Sequence, residues 1–468
     1  MGISLNPASI LSGQGIDVSS LVSQILSESS GQLTEWQSEQ STLQSQASDL
    51  TAINSALTNL ATAVTALSDP LGALTAQAAT SSNTGVLSAT AQTSAVAGNY
   101  SIVVTNQASA GTVYTNDFAA GANASILPTG AGTGEIDLQI GTALPVPIQI
   151  TAGSNDTLTT LANYINGQNL GVNASVITDA NGSRLALVSR STGTPGALAI
   201  TGGNTNLTFN TPTGGQNAAL TIDSIPYSST TNTITGAIPG VTLNLVGSSP
   251  DAVQLSVGPD ATQATTAINN FVSAYNQVVS DINQEFTFST STNSQGPLAG
   301  DASLRQLQSS LLNDATYSTS GNGGDVNLAA LGINTNDDGT LTVDSSQLGS
   351  ALASNPAAVQ NFFQNSTQTG FANAFNSDLT NLTDPTQGLL NVDLAQNQAE
   401  QTDLSTSITN FQTQLTAQQT ALTAQYAAVN ASLQAYPLLL QEMTETLATL
   451  GTSGSTATTS SPTLTSGL

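Results

Sequence analysis

The sequence predicts an α+β multidomain protein, in which a helical coiled-coil stalk from both chain ends carries inserted β-rich head domains. Apolar residues recur at alternating steps of three and four near both ends of the 468-residue chain, which is the spacing of a coiled-coil seam. Between about residues 80 and 258 the apolar period changes to two, as in strands. Antiparallel pairing of the two ends would explain a chain that leaves a helical stalk and returns to it.

The N-terminal stripe predicts one long helix that ends at Ser68-Asp69-Pro70, because proline cannot continue a helix and restricts the residue before it. We interpret Trp36 as a seam residue rather than as a platform for a ligand. The predicted seam residues of this stripe are Leu33, Trp36, Leu43, Leu50, Leu57, Leu60, Val64 and Leu67.

The C-terminal stripe predicts a second long helix with a stutter around Leu422, where the supercoil straightens locally. Pro437 should kink this helix or split it in two. The Ser/Thr/Gly-rich tail after Gly451 is expected to be flexible. The predicted seam residues here are Leu404, Ile408, Phe411, Leu415, Leu422, Val429 and Leu433.

The stripes can pair within one chain or with other subunits, and the sequence leaves both possibilities open. Glutamine, threonine, asparagine and serine flank them, in place of the Glu and Lys that are typical of coiled-coil flanks. Charge pairs therefore cannot set the register. We expect side-chain amides and the pattern of large and small apolar residues to do so.

The middle of the chain contains a series of short alternating segments that predict strands. Asn181-Gly182 between two of them predicts a hairpin turn. One helix is expected to interrupt the strands, capped by Ser154-Asn155-Asp156 and carrying apolar residues at helical spacing. The predicted strand segments are GNYSIVVTNQA, GEIDLQIG, VPIQITAG, VNASVITDANGSRLALVSRS, AALTIDSIPYSS and GVTLNLVG.

Helices resume after the strands. ATTAINNFVSAYNQVVSDINQEF has one apolar face, and SLRQLQSSLLNDA follows it. The segment LGINTNDDGTLTVD predicts a short hairpin, and SSQLGSALASNPAAVQNFF follows that hairpin.

The composition excludes several classes of function. The chain has three cationic residues, all arginine, no histidine and no cysteine, and a formal net charge of -26. Nucleic-acid binding, which needs cations to displace counterions from phosphates, is therefore excluded. Zinc, haem and iron–sulfur sites lack their usual ligands, and histidine-dependent nucleophiles and Schiff-base lysines cannot form. We expect no cofactor, no metal and no enzymatic activity, although a carboxylate-pair hydrolase stays open as an alternative.

Two acidic positions invite a structural and a functional interpretation. Asp17 in GQGIDVSSLV can cap the first helix or belong to a recognition element for export or for the filament, and we favour the cap. Asp337-Asp338-Gly339 resembles part of a calcium loop, but the full loop spacing with Glu at its twelfth position is missing. A plain turn is the simpler prediction. Asp223, Asp251 and Asp260 are also expected near turns.

The N-terminal segment predicts neither a cleaved secretory signal nor a membrane span. The first positively charged side chain is Arg184, so a basic leader region is missing, and the start has no continuous apolar stretch. No segment reaches the ~18 apolar residues of a membrane-spanning helix. An exterior-looking chain of this kind suggests a cytosolic protein or one exported without cleavage.

Several motifs in order resemble the flagellar hook-associated protein 2 (FliD) family of filament cap proteins. They include GIDVSSLVSQIL, IPYSSTTNTITGAIPGVTLNLVG, FVSAYNQVVSDINQ, GPLAGDASLRQLQSSL and LAALGINTNDDGTLTVDSSQLGSALASNPAAVQNFF. DTLTTLANYINGQNLGVNASVITDANGSRLALVSRSTG is similar to the flagellin hook IN motif. The chain departs from the family by lacking lysines in its coils, which puts salt-bridge contacts between subunits in doubt.

The resemblance implies a secreted homo-oligomeric ring of about four to six subunits at the distal filament tip. Its implied partners are flagellin, hook–filament junction proteins, the flagellar type III export machinery with an export chaperone, and host or surface ligands of the head. The cap would promote folding and insertion of exported flagellin. The alternative is an extracellular adhesin or a flagellin-like filament subunit.

Together, the patterns and the resemblance predict four structural units. Residues 1–40 with 430–468 would form filament-contacting terminal helices and a flexible tail. Residues 41–80 with 258–429 would form the helical stalk domain. Residues 81–115 with 215–257 would form a β head domain, and residues 116–214 a second β head domain containing the hook IN-like motif.

The low content of cations also predicts tolerance of acid, because mutual repulsion of cations can hardly develop.

Overall fold

The computed structural model describes residues 17–290, 294–321, 324–365 and 369–453. Long helices from the two ends of this range flank a middle section of strands, as the sequence predicts. The helices are α1 (Val18–Ser68), α2 (Leu158–Gly167), α3 (Ala261–Phe286), α4 (Ala302–Ala315), α5 (Ser345–Ser354), α6 (Pro356–Phe363), α7 (Phe371–Leu382) and α8 (Leu389–Ser453).

The strands follow the chain in two groups, one in the middle and one among the later helices. The middle group is β1 (Gln77–Ser81), β2 (Leu87–Ala91), β3 (Gly98–Asn106), β4 (Ala110–Tyr114), β5 (Thr133–Ile140), β6 (Val146–Thr151), β7 (Val172–Asp179), β8 (Gly182–Thr192), β9 (Leu198–Gly203), β10 (Ala218–Ile222), β11 (Ile225–Ser229), β12 (Thr233–Ile238), β13 (Val241–Leu245) and β14 (Val253–Pro259). The later strands are β15 (Ser318–Gly321), β16 (Gly324–Asn327), β17 (Ile333–Thr335) and β18 (Leu341–Val343).

Three separate apolar cores organise these elements. The largest joins the C-terminal part of α1 to helices α3 to α8, and it contains the fully buried Phe271, Phe362, Phe363 and Tyr275. Edge-to-face contacts such as Phe271 with Phe375, 5.9 Å between ring centroids, link its aromatic side chains. This core anchors one end of each long terminal helix.

The second core lies between a five-stranded sheet of order β1-β14-β3-β10-β11 and a three-stranded sheet of order β12-β13-β2. Strand β1 follows α1 and pairs antiparallel with β14, which precedes α3, so that Gln77 lies opposite Pro259. The chain therefore leaves and re-enters the helical region through two adjacent strands. Alternating inward residues such as Leu243 and Leu255 are fully buried.

The third core is enclosed by the sheets β4-β8-β7 and β6-β5-β9 and by helix α2. Leu158, Leu161 and Ile165 of α2 are buried in it, as their helical spacing predicts. Most strands of this core and of the second core come from the alternating segments described above. The predicted strand segments do not include strands β1, β2, β4, β9, β12 and β14.

Two local predictions need correction. The cap of α2 is Thr157, which forms a capping box with Thr160; the hydroxyl of Thr157 accepts from the Thr160 N–H at 3.1 Å. Asn155 instead accepts from the backbone of Thr151 at 2.7 Å. The turn between β7 and β8 consists of Ala180 and Asn181, one residue earlier than predicted, because Gly182 already pairs with Asp179.

Two further segments differ from the sequence prediction. AALTIDSIPYSS forms two strands, because Asp223 and Ser224 adopt left-handed backbone conformations with φ of 50° and 68° and make a hairpin turn. The segment after the second hairpin forms two helices, since Asn355 ends α5 and accepts from the Ala358 N–H as the cap of α6. Helix α7 was not predicted.

Helix α8 is continuous through Pro437, so of the two predicted effects of this proline, a kink or a split, the split does not occur. The position is half-buried on a helix whose neighbouring residues are mostly exposed. The tail predicted to be flexible lies, from residue 454 onward, outside the described residues.

Helix α1 has the length and hydropathy of a membrane-spanning helix, although the sequence predicts no span. Buried helices of globular proteins share this property. Leu57, Leu60, Val64 and Leu67 are fully buried in the largest core. Their burial explains the apolar composition of this part of α1 without a membrane.

Candidate assembly surface of the terminal helices

Residues 18–54 of α1 and 391–429 of α8 run antiparallel to each other and are called the terminal helix pair below. Side-chain amides form hydrogen bonds across it. Asn54 donates to the side-chain oxygen of Asn391 at 2.9 Å, and Gln401 donates to the Leu43 carbonyl at 3.3 Å. These bonds agree with the expectation that amides and the pattern of apolar residues, rather than charge pairs, set the register.

The centre of this amide network is Asn397, which is 7% exposed. It donates to the side-chain oxygen of Gln46 at 3.2 Å and accepts from Gln401 at 2.6 Å. A buried amide needs such partners because an unsatisfied polar group inside a protein is costly. Asn397 is not among the predicted seam residues. Its signal was available, since it lies seven residues before Leu404 in the same stripe.

The seam residues that lie in the terminal helix pair are mostly half-buried. Trp36 contacts Phe411 edge to face, with ring centroids 5.4 Å apart, and Ile408 is 7% exposed. Two helices alone can cover only one side of each other, so intermediate burial is expected. The other half-buried seam residues of the pair are Leu33, Leu43, Leu404, Leu415 and Leu422; Leu433, which follows the pair on α8, is also half-buried.

Four of the predicted seam residues, Leu57, Leu60, Val64 and Leu67, lie outside the contact between α1 and α8. Helix α8 begins at Leu389, and its Asn391 already lies opposite Asn54. The four later residues of α1 therefore extend beyond the start of α8 and pack into the largest core with helices such as α3. Leu50 is buried in the same core.

The N-terminal end of the pair contains two buried residues that are not among the predicted seam residues. Leu21 and Val22 are 9% and 1% exposed. The hydrogen-bonded register of the pair places Val22 level with the region around Leu422. Val22 lies eleven residues before Leu33, which keeps it on the same helical face.

The predicted cap at the start of α1 is confirmed. The Asp17 carboxylate accepts from the backbone N–H groups of Ser19 and Ser20, both at 3.1 Å. Hydrogen bonds from the Ser19 side chain and from the backbone lower the pKa of Asp17, because they favour its charged form. This cap fixes where the described part of α1 begins.

Beyond Val429, helix α8 continues past the level of Val18 for residues 430–453, a segment called the α8 extension below. At 1.5 Å per residue its length is about 36 Å. Val429 itself is 44% exposed. Large apolar side chains of the extension are also exposed, among them Tyr436 at 66%, Leu440 at 59%, Met443 at 55% and Leu447 at 64%. Their spacing of four, three and four places them on one helical face.

Asp338 and Asp260, two acidic residues expected near turns, form local hydrogen bonds rather than a metal site. Asp338 accepts from the backbone N–H and the hydroxyl of Thr340, at 3.0 and 2.6 Å, in the turn between β17 and β18. These bonds lower the pKa of Asp338. Asp260 caps α3. Within the described ranges, no group of three or more Asp and Glu residues is placed to hold a metal ion.

The three arginines have local partners in the described chain. Arg184 forms ion pairs with Asp117 and Asp179, and Arg190 donates to the Asn173 side chain at 2.8 Å. Arg305 donates to the Ala299 carbonyl at 2.7 Å and lies over the Phe286 ring. None of these residues lies in the terminal helix pair, whose surface is therefore neutral or acidic.

Comparison with known proteins gives three family matches along the chain. The N-terminal profile of flagellar hook-associated protein 2 matches residues 14–111, and its C-terminal profile matches residues 215–436. The flagellin hook IN motif matches residues 129–191, between the two. The flagellin hook IN match includes helix α2 and strands of the third core.

Individual relatives agree with the profiles. B-type flagellar hook-associated protein 2 of Pseudomonas aeruginosa PAO1 is 30% identical over 55% of this chain and 60% of its own length. Flagellar hook-associated protein 2 of Escherichia coli K12 is 28% identical over 79% of this chain and 82% of its own. The chain thus spans less than two thirds of the Pseudomonas relative.

A solved structure supports the fold. The crystal structure of the D1, D2 and D3 domains of the flagellar cap protein FliD from Escherichia coli is 29% identical. It covers 75% of this chain and 99% of the solved chain, with a TM-score of 0.56. From the two profiles, the relatives and this shared fold, we conclude that the chain belongs to the flagellar hook-associated protein 2 family.

Proposed function

We propose that this protein is a subunit of a flagellar filament cap, a homo-oligomeric ring of about four to six copies at the distal tip of the filament. In this proposal it is secreted, has no enzymatic activity, and promotes the folding and insertion of exported flagellin. Family membership supports the flagellar location. The family is one of structural cap proteins rather than of enzymes.

The observation that carries this proposal is the α8 extension. It projects for about 36 Å beyond the level of Val18, with an apolar face that the described residues leave exposed. A contiguous exposed apolar surface marks a site of protein–protein contact. A filament end built from helical subunits would supply a complementary apolar surface. We infer that the extension contacts the filament or its junction proteins.

In this proposal, each of the four predicted units has its own role in the cap. The terminal helices of residues 1–40 and 430–468 would contact the filament, and the stalk of residues 41–80 and 258–429 would hold them. The heads of residues 81–115 with 215–257 and of residues 116–214 would form the plate of the ring. The two β cores support separate heads, because each is enclosed by its own sheets.

The chemistry of the chain is compatible with export as an unfolded polypeptide through the flagellar type III machinery, assisted by an export chaperone. With no cysteine, the chain cannot form a disulfide that would block its passage. Most of the predicted seam is half-buried in the single chain. The remaining apolar area is available for contacts between subunits or with a chaperone.

Deletion of the gene tests this proposal. Cells without the protein should release flagellin monomer into the medium and build few filaments, and expression of the intact chain should restore filaments. Normal filaments in a clean deletion would contradict a cap function. An extracellular adhesin, the alternative, would leave filament assembly unchanged.

Negative-stain microscopy of the purified protein distinguishes the cap from a filament subunit. A cap should form small closed rings or stacked rings, whereas a flagellin-like subunit should form long filaments. The same images give the number of subunits in the ring. Long filaments of purified protein would favour the flagellin-like alternative.

A further inference from the structure

The two β heads are joined where the chain passes between them. The head around the second core is called the proximal head below, because β1 and β14 connect it to the helical region, and the head around the third core is called the distal head. Ser109 and Gln216 exchange backbone hydrogen bonds at 2.8 and 3.1 Å, and Thr112 and Thr213 do so at 2.9 and 2.8 Å. The two passages of the chain therefore pair as an antiparallel ribbon that continues from one head into the other.

This ribbon differs from an ordinary connection between domains. Domain boundaries usually fall in flexible linkers that few contacts cross, whereas backbone pairing crosses this boundary. A two-stranded ribbon alone is only marginally stable and twists easily. Whether the heads keep one angle therefore depends on contacts outside the ribbon.

Such a contact comes from residues 192–197, called the wedge loop below, which connect β8 to β9 in the distal head. The Thr192 hydroxyl donates to the Thr230 carbonyl at 2.6 Å. The Thr194 N–H donates to the side-chain oxygen of Asn217 at 2.7 Å, and the N–H of the next-earlier residue donates to the Ser109 carbonyl at 3.0 Å. The wedge loop thus bonds to three separate segments of the proximal head.

Glycines allow the wedge loop to approach this closely. Gly193 is buried and has a φ of 74°, and a Cβ atom on it would lie 2.6 Å from the Oδ1 atom of Asn217 and 2.7 Å from the Cα atom of Thr230. A Cβ atom on Gly215, in the ribbon, would overlap the carbonyl oxygen of Gly193. Any larger side chain at either position would push the wedge loop away from the proximal head.

The residues that form these bonds carry no charge. They are serine, threonine, asparagine, glutamine and glycine. Salt screens interactions between charges, so it has little to act on at this junction. We therefore expect the contact between the heads to be the same at low and at high salt.

We propose that the wedge loop holds the proximal and distal heads at one fixed angle, so that the two heads move as a single rigid body. The ribbon connects the heads along one line, and the bonds to Thr230 and Asn217 prevent rotation about that line. The inference concerns the single chain and does not depend on the proposed cap function, so failure of one leaves the other intact.

Distances between spin labels on the full chain test this proposal. The chain has no cysteine, so Ser175→Cys in the distal head and Thr235→Cys in the proximal head, both at exposed positions, carry the only labels. Pulsed electron resonance should give one narrow distance distribution, unchanged between low and high salt. Ser175→Cys with Thr151→Cys, both exposed in the distal head, gives the width that the labels themselves cause. A distribution between the heads that is clearly broader than this reference would overturn the proposal.

Gly215→Val tests the wedge loop itself. It should broaden or shift the distribution between the heads and leave the distribution within the distal head unchanged. Its matched control is Gly214→Val, because no heavy atom lies within 4 Å of the place of a Cβ atom on Gly214; this variant should keep the narrow distribution.

A second variant adds no bulk and so avoids a failure to fold. Thr192→Val with Asn217→Ala removes two hydrogen bonds of the wedge loop and should also broaden the distribution between the heads. Circular dichroism of each variant checks that the strands remain folded. A narrow distribution that persists in both Gly215→Val and the double variant would show that the wedge loop does not hold the angle.

Discussion

Trp36 and Phe411 meet edge to face across the terminal helix pair, with ring centroids 5.4 Å apart and planes inclined by 72°. They join two helices that are otherwise held by half-buried leucines and side-chain amides. Trp36 is the only tryptophan of the sequence. Its fluorescence therefore reports on this one contact.

We expect the terminal helix pair to open before the largest core unfolds. The pair buries its seam only partly, whereas Phe271, Phe375 and Leu67 are almost fully buried in the core, and segments with few buried contacts open at lower free energy. In a urea titration, the change in Trp36 fluorescence should precede the loss of far-ultraviolet circular dichroism. Coincident transitions would contradict this order. Phe411→Leu should advance the fluorescence change, while Phe209→Leu, in a head, should leave it in place.

Charges introduced into the seam should detach the stalk from its assembly partners. Full burial of a leucine contributes about 1.5–3 kcal/mol, so half-buried Leu415 and Leu422 should contribute about half as much each. Replacing both by Asp also places charges against an apolar surface. We expect the complex mass from light scattering to fall and filament capping to be lost, while both heads stay folded.

The matched control for this change is Thr416→Asp with Thr423→Asp, which adds the same charge at exposed positions of α8. It should retain the complex. A Leu415→Asp, Leu422→Asp protein that keeps its mass and still caps filaments would refute the role of the seam.

Asn397→Leu should weaken the register of the pair. The substitution leaves Gln46 and Gln401 without their buried partner, and a buried polar group left unsatisfied costs about 1–3 kcal/mol. We expect the fluorescence transition of Trp36 to move to lower urea, whereas Gln398→Leu, at an exposed neighbouring position, should have little effect. An unchanged transition in Asn397→Leu would mean that apolar packing alone fixes the register.

The folded protein should withstand acid. Burial raises the pKa of Asp49 and of Glu285, in addition to that of Asp314, so stability should rise as the pH falls from 7 to about 4. Hydrogen bonds lower the pKa of exposed Asp17 and Asp338; the contribution of these groups is lost only below about pH 4. We expect far-ultraviolet circular dichroism to keep most of its helical signal down to pH 3.

We expect the protein to self-associate under acidic conditions, because its net charge of -26 falls towards zero near the sequence pI of about 4.1. Dilute samples checked by light scattering separate association from unfolding. Loss of most helical signal above pH 3 without aggregation would contradict acid tolerance. In that case the low lysine content would have another origin, such as resistance to proteases.

Much of the fold could be predicted from local pattern. Apolar residues at alternating steps of three and four predicted both terminal helices. Apolar residues at every second position predicted most of the strands. Asp17 was identified as a cap because a carboxylate before an apolar-periodic segment satisfies free N–H groups of the first turn. Thr157 was missed because several polar residues precede α2, and only the backbone conformation shows which of them caps it.

The candidate surface was predicted only in part. Trp36 and Ile408 lie in the α1–α8 contact, but Leu57 and Leu67 lie in the core. The sequence cannot show whether a residue of the stripe contacts α8 or lies in the largest core, because any helix with one buried face repeats apolar residues at steps of three and four. The start of α8 at Leu389 decides which part of the α1 stripe meets α8.

By itself, the sequence determined the order of helical and strand segments, the absence of lysine, histidine and cysteine chemistry, and the presence of amides in place of charge pairs along the two terminal stripes. Only the tertiary structure decided the register of α1 against α8 and the placement of Leu57 and Leu67 in the largest core. The physical reason is distance along the chain. Periodicity and capping act within a few residues, whereas these contacts join residues far apart in the sequence, and they depend on how whole helices pack.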